Sequence, residues 1–415
     1  MTDQEFQGLG PAFSDFLAGF RDCCPQKQTR ANFDNYCRGL LSDLPRKSAE
    51  PIALACGCAA RTLQVFLADR PWDHAAVLAR LQRHLAAHAA TRPDDGLGSI
   101  GVIDETSCRK WGDQTPGVQR QYLGCVGKVD NGIVTVHVGI AQGTFQTLLD
   151  ADLFLPKKWS EDRERCRDAG IPDDVVYRPK WRIAFDQLQR LHDAGHRFDW
   201  LCFDEYYGSK VPFLKLLGVV GQRFVGEVPV NFAVKLRGSP RSRRISTRVT
   251  AAMARNGQRF TVTHKATADT VWRAVERRAE VDGKTHRCVA AICESTAEVK
   301  YFVSNDRLAP LAKILAVAFR RATIEHGFRL AKQEAGLMHF EGRHYGALQR
   351  HLILSLLVVG FVAVQTERLR GEKSPGDGGA GLPAVESVLP AGLPPPPRPS
   401  GLGADLLRDP LSSAA

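Results

Sequence analysis

The chain has 415 residues, 44% of them hydrophobic, with 56 lysines and arginines against 45 acids and a net charge of +11. That size corresponds to roughly two to three domains around an ordinary core, which excludes a disordered or fibrous chain. The opening MTDQEFQGLG lacks a basic segment followed by an apolar run, and no stretch reaches the roughly 18 uninterrupted apolar residues of a membrane span. The eleven cysteines are scattered and odd in number, unlike a disulfide framework, so reduced thiols in a soluble, unexported chain are expected.

The first ninety or so residues repeat apolar positions at intervals of three and four (Phe13, Phe16, Phe20; Leu63, Phe66, Leu67), which predicts a helical N-terminal unit. SIGVIDE then reads as a strand. QYLGCVG and IVTVHVGIA read as β runs in an antiparallel meander, separated by a turn at Lys128–Gly132. A helix is predicted from Pro179 to Ala194, followed by a short buried strand in FDWLCFDEYYG, a helix over Val211–Val220 and a strand in RFVGEVPV. RFTVTH, RCVAAI and KYFVSN are strand-like, a long helix is predicted over Leu308–Gln333, and a buried one over Ala347–Glu367. The last 45 residues hold nine of the 23 prolines and eight of the 37 glycines, a composition that predicts a tail rather than a domain.

The charge is unevenly placed. Between Lys235 and Arg287 fourteen basic residues, Arg241, Arg243 and Arg244 among them, face only four acids. That surplus of ten accounts for nearly all of the chain's charge and predicts a surface for a phosphate-rich partner. Three acids stand out against it. Asp104 closes the first strand, Asp204 closes WLCF, and Glu325 lies in the long helix with Arg321 and Lys332 four residues before it and seven after. At ~100° per residue these three helix positions fall within about 60° of one face. Acids beside apolar runs need a compensating cation; if the three converge, their oxygens suit Mg²⁺ or Mn²⁺, two ions of which promote phosphodiester chemistry. Glu105 and Glu205 adjoin the candidates, but strand alternation lets only one of each pair face the site.

Arg321-x3-Glu325-x6-Lys332, with VIDETS, VQRQYLGCVGKVDN, LFLPKKW, DRERCRDAGIPDDVVYRPK, FDEYYG and MHFEGRHYGALQRH, resembles DDE-type insertion-sequence transposases of the cut-and-paste branch. Two positions depart from the pattern: Ala318 stands where the signature has tyrosine, and Gly132-Ile133 where the subgroup usually has Cys-Gln, a change expected to affect strand packing rather than chemistry. The resemblance runs from about residue 10 to 365. It implies an α/β, ribonuclease-H-like catalytic core over 97–228 and 307–368 with a basic β-rich insertion over 229–306. A helical N-terminal domain for DNA binding or dimerisation would occupy 1–92, and a Pro/Gly-rich disordered tail 371–415.

The implied activity is cleavage of element ends and joining of the 3′-OH ends to target DNA, with Asp104, Asp204 and Glu325 as catalytic metal ligands. The implied partners are double-stranded DNA, as terminal inverted repeats and target, and a second copy in a synaptic homodimer, with no membrane and in the cytoplasm at a prokaryotic nucleoid. Arg321 and Lys332 would touch end phosphates, Lys128 is a further phosphate candidate, and Trp272 is the candidate to receive a flipped base, although a tryptophan is more often core. Glu341 is a rival third acid. His339, His344 and His351 are open as ligands or as packing and DNA-contacting residues. Two other activities remain: a structure-selective nuclease on the same core, and a transposase-derived DNA-binding protein without catalysis.

Overall fold

The N-terminal apolar spacing resolves into five helices, α1 (Asp3–Ala18), α2 (Lys27–Leu41), α3 (Ala49–Ala55), α4 (Ala60–Ala68) and α5 (His74–Ala90). The structure is a computed structural model and describes residues 3–93, 95–236, 239–249, 257–262 and 269–371. The expected tail beyond Gly371 lies outside the described residues. α5 begins on the Asp73 carboxylate, which accepts from the Ala76 N–H at 2.8 Å. Phe13, Leu17, Phe33, Leu40, Phe66 and Leu81 are buried in one core, so tertiary packing supplies most of the stability of these short helices.

The strands that follow are β1 (Ile100–Arg109), β2 (Gln119–Leu123), β3 (Lys128–Gln142) and β4 (Phe145–Leu153). The meander turn lies four residues earlier than expected. Gly124–Gly127 make it, closed by Gly127 N–H to the Leu123 carbonyl at 2.9 Å with Gly127 at φ +67°, and Lys128 already opens β3. β3 is the central strand of the meander, paired with β1 on one side and β4 on the other, and its core-level residues are buried on both faces. A Cβ at Gly132 would collide with the Cys108 carbonyl across the ladder, so the glycine lets β3 lie close against β1 here.

After β4 come α6 (Lys157–Glu161), α7 (Arg163–Asp168) and α8 (Lys180–Asp193), then β5 (Trp200–Phe203), α9 (Glu205–Gly208), α10 (Val211–Val219) and β6 (Phe224–Val228). β5 runs parallel to β1, and β6 parallel to β5. The resulting order β4-β3-β1-β5-β6, three antiparallel strands and then two parallel ones, is the ribonuclease-H-like α/β sheet. A Cβ at Gly208 would strike the Glu227 carbonyl, so the glycine lets α9 lie directly on β6.

The basic segment adds β7 (Ala233–Val234), β8 (Arg243–Arg244), α11 (Ile245–Val249), β9 (Gln258–Val262), β10 (Thr270–Val281), β11 (Lys284–Cys293) and β12 (Val299–Ser304). β12 pairs with β6 and is followed by β11, β10 and β9, so these strands extend the same sheet.

The predicted long helix is broken. α12 (Leu311–Phe319) and α13 (Ala322–Gln333) are separated at Arg320-Arg321. Arg320 donates to the Gly143 carbonyl at 3.1 Å and pairs with Asp95, while Arg321 turns towards the acids of the sheet. The last helix, α14 (Tyr345–Gly371), is longer than expected and apolar enough over Tyr345–Leu369 to cross a membrane by length and composition. It is instead mostly buried, packed against α2, α4, α5 and β4 as the core helix that joins the N-terminal helices to the sheet.

Candidate active site

Asp104 lies on the β1 face covered by α13, and Asp204 sits just past the end of β5 as the cap of α9, accepting from the Tyr207 N–H at 3.3 Å. Parallel pairing of β1 with β5 ends at Ile103 and Phe203, so the next residues, Asp104 and Asp204, lie side by side; β1 itself runs on to Arg109, so Asp104 does not close the strand as expected. Burial pushes the Asp104 carboxyl up to about 7, Asp204 beside it pushes the same way, and Arg321 opposes both. Asp204 is also raised, by burial first, against the pull of the Tyr207 N–H.

Arg321 gathers the third acid. Its guanidinium meets Asp104 at 3.1 Å, Glu325 at 3.1 Å and Glu227 at 4.0 Å. Burial alone would lower Arg321; the carboxylates around it, Asp104 foremost, hold it above its ordinary value. Asp104 and Asp204 are therefore neighbours, and Glu325 joins them through a shared cation. Glu341, the rival, pairs with Arg46 and accepts from the Ser48 hydroxyl, in a different part of the fold. Ala318 is buried in the last turn of α12, so the missing tyrosine position lies within the packed helix just before the break.

Several residues around the acids carry no sequence signal. Glu227 on β6 is held by Lys300 on β12 at 2.9 Å, a pairing made only when the sheet forms. Glu105 points away from Asp104 to Lys180 on α8 at 2.6 Å, as strand alternation requires. His137 sits opposite Asp104 across the β1–β3 ladder, fully buried, bonded to the Thr135 hydroxyl at 2.7 Å and edge-on to Phe328 of α13. Burial drops its imidazole to about 3, so it is neutral.

The donor chemistry suits a hard divalent cation. Asp104 and Asp204 offer carboxylate oxygens that burial and mutual repulsion disfavour as free anions, and Glu105 Oε2 and the Tyr207 hydroxyl are buried nearby without a hydrogen-bond partner. Among the described residues no three His, Cys, Asp or Glu side chains are already gathered in metal-binding geometry, because Arg321 occupies the middle of the acids.

The expected DNA contacts are distributed differently. Lys332, half-buried, lies on α13 close enough to His137 to help keep it neutral. Lys128 is exposed at the start of β3. Arg241, Arg243 and Arg244 are exposed, the last two forming β8, whereas Arg237, Arg255 and Lys265 of the same basic window lie outside the described residues. One residue of the window is internal: Arg287 is buried, with Nε donating to Glu276 at 2.8 Å, whereas Arg259 pairs with Glu294 at 2.6 Å but stays exposed. Trp272 is also core. It is 5% exposed, donates to the Thr270 hydroxyl at 2.9 Å and packs on Phe319, and no ring face is presented to a flipped base. His351 packs between the Tyr36 hydroxyl and the Gly336 carbonyl, and His339 accepts from the Lys47 N–H.

A ribonuclease-H-like sheet with two acids side by side where the parallel pairing of its two central strands ends defines a nuclease-type core. The profile of the DDE superfamily endonuclease family matches residues 19–285, more than half of the chain, and the protein belongs to that family. The match includes Asp104 and Asp204 and stops short of Glu325. Over 226 residues the chain is 31% identical to the probable transposase for insertion sequence element IS701 of Microchaete diplosiphon, covering 54% of this chain and 55% of the relative. The chain thus spans about half the length of the curated relative it matches.

Proposed function

We propose that the protein is a DNA transposase that binds the terminal inverted repeats of its element, cleaves the ends by phosphodiester hydrolysis and joins the 3′-OH ends to target DNA. The observation that carries this reading is the pairing of buried Asp104 with Asp204 beside an arginine that also holds Glu325. Asp104, Asp204 and Glu325 would hold Mg²⁺ or Mn²⁺. Such ions, two per site, supply activation of the attacking oxygen and stabilisation of the leaving one.

The remaining work falls to the chain itself. Arg321 fixes Asp104 and Glu325 in one place and keeps the acid cluster from repelling itself apart. Lys180 orients Glu105, and Lys300 orients Glu227. Neutral His137 fills the space under Asp104 without adding charge. Lys332 and Lys128 serve as phosphate contacts, the exposed arginines of β8 grip the duplex, and the helices up to residue 92 bind DNA or a second copy in a synaptic homodimer at the nucleoid.

The test is incubation with the element's end DNA and Mg²⁺. Wild type is expected to cut at the ends, and Asp204→Asn and Glu325→Gln to bind the same DNA without cutting. Cleavage by those variants at the wild-type rate, or cutting with no preference for inverted repeats, defeats the reading; the latter result would indicate a structure-selective nuclease.

Replacing Arg241, Arg243 and Arg244 together by alanine is expected to weaken DNA binding across sequences. It should also reduce the slope of log K against log[salt] by up to about 3, close to one unit per lost phosphate contact. Binding measured over a salt series decides it, and an unchanged slope would make these arginines a solvated face.

A further inference from the structure

On the α13-covered side of β1, beyond the acids, lies a groove of about 810 Å³. One wall is the segment Lys110–Thr115 that leaves β1; the other is the segment Met338–Arg343, with Pro45 and Arg46 at the rim. Strand alternation puts Cys108 on the same face of β1 as Asp104. Its thiol donates to the Met338 carbonyl at 3.2 Å, and the Lys110 ammonium donates to the Phe340 carbonyl, so both residues tie the groove floor to the opposite wall.

Trp111 stands in this groove with 83% of its surface exposed, the most exposed large aromatic among the described residues. The Arg109 guanidinium lies over its ring at 4.4 Å. A solvent-exposed indole braced by a guanidinium is unfavourable as packing, but it is the arrangement that stacks a flat π ligand. The surrounding charge selects among such ligands. Arg46, Arg109, Lys110 and Arg343 line the groove against Asp113 and Glu341; Arg46 is paired with Glu341, Arg109 with Asp130 at 3.0 Å, and Arg343 is exposed. His339 is held below its ordinary value by burial and then by Lys47, Arg46 and Lys110, which is the mark of a positive local field.

We propose that this groove binds an unpaired DNA strand, with one base stacked on Trp111 and the flanking phosphates on Arg109 and Arg343. The proposal rests on the reading above that Asp104 and Asp204 act on DNA. Six residues of extended chain from Asp104 to Lys110 span about 20 Å. Trp111, the next residue, therefore stands about 20 Å or more along the strand direction from the acids, within a few nucleotides of the phosphodiester held there once the DNA strand has left its duplex stack. Only a strand that has left the duplex presents a free base face, so the groove would hold DNA opened beside the cut and not the paired repeat.

The experiment uses the full chain without added metal, and reads binding of a short fluorescein-labelled oligothymidylate and of a duplex by fluorescence anisotropy. Trp111→Ala is expected to weaken oligothymidylate binding about fivefold or more, Trp111→Phe to retain most of it, and duplex binding to change by less than about twofold in either. Iodouracil placed at successive positions along the strand flanking the cut should crosslink to Trp111 when that strand is unpaired and not when it is held in the paired repeat. Wild-type affinity of Trp111→Ala for oligothymidylate overturns the proposal, as does equal loss on single strand and duplex. No cleavage enters this measurement, so it stays readable if end cleavage fails. Conversely, normal end cleavage with unchanged oligothymidylate binding in Trp111→Ala removes the groove alone.

Discussion

Asp104→Asn, which replaces a metal ligand proposed above, is expected to lower end cleavage by at least about a hundredfold, more than the roughly 10- to 100-fold that loss of an outer partner costs, and to make the fold more stable. The second effect follows from the direction of the shift. Asp104 ionises near 3.8 in the unfolded chain and at about 7 in the folded protein. Between those values the native state keeps a proton that the unfolded chain has lost, so wild-type stability falls as pH rises from about 4 to 7 and is level above. Three units correspond to about 4 kcal/mol, an upper bound for what asparagine regains, because Arg321 also gives up a partner. Urea midpoints should therefore be higher for Asp104→Asn at about pH 8 and converge with wild type near pH 4. Mg²⁺ should raise the wild-type midpoint by binding the native state and leave the variant nearly unmoved. A variant less stable than wild type at both pH values would mean that Arg321 and the Glu105 N–H, which donates to Asp104 at 2.7 Å, more than offset burial.

The acids were legible because each breaks a local pattern. Asp104 and Asp204 end apolar runs, and Glu325 falls at a fixed spacing from two cations. The ribonuclease-H-like α/β class of the core followed from the resemblance, and the sheet has it. What escaped depends on long-range partners. β4 reads FQTLLDADL, with apolar residues bunched rather than alternating, and becomes a strand because β3 offers it a ladder. β10 reads TVWRAVERRAEV, whose charges suggest a solvated run, yet its register against β11 puts Glu276 beside buried Arg287. The break between α12 and α13 contains neither proline nor glycine; Asp95 and the Gly143 carbonyl fix it by taking Arg320, and both are distant in sequence. Charge counting read the basic window as one surface, yet Arg287 within it is buried, because a count carries no information on which face of a strand a residue takes. Trp111 went unread because one exposed tryptophan in a loop has no periodicity to violate.

Arg190→Ala is expected to destabilise the protein by about 3–5 kcal/mol, the range for removing one partner of a buried ion pair. Arg190 of α8 reaches β4 and meets Asp150 at 3.0 Å and Asp152 at 2.5 Å, while Asp150 is fully buried and also accepts from Gln82 of α5 at 3.0 Å. The arginine thus balances a carboxylate that couples the N-terminal helices to the sheet. Burial pushes Asp150 up to about 6 even with the guanidinium beside it; two carboxylates against one cation do not fully compensate complete burial. Without Arg190 the native state must hold Asp150 protonated or carry an unpaired charge, and that penalty grows as pH rises above about 6. Asp150→Asn in the Arg190→Ala background should recover part of the loss, because the amide needs no counter-ion and still accepts from Gln82. Urea denaturation of the four proteins in this cycle measures the coupling. A loss below about 1 kcal/mol for Arg190→Ala would equate the pair with a surface salt bridge, leaving the α14 packing to join the N-terminal helices to the core.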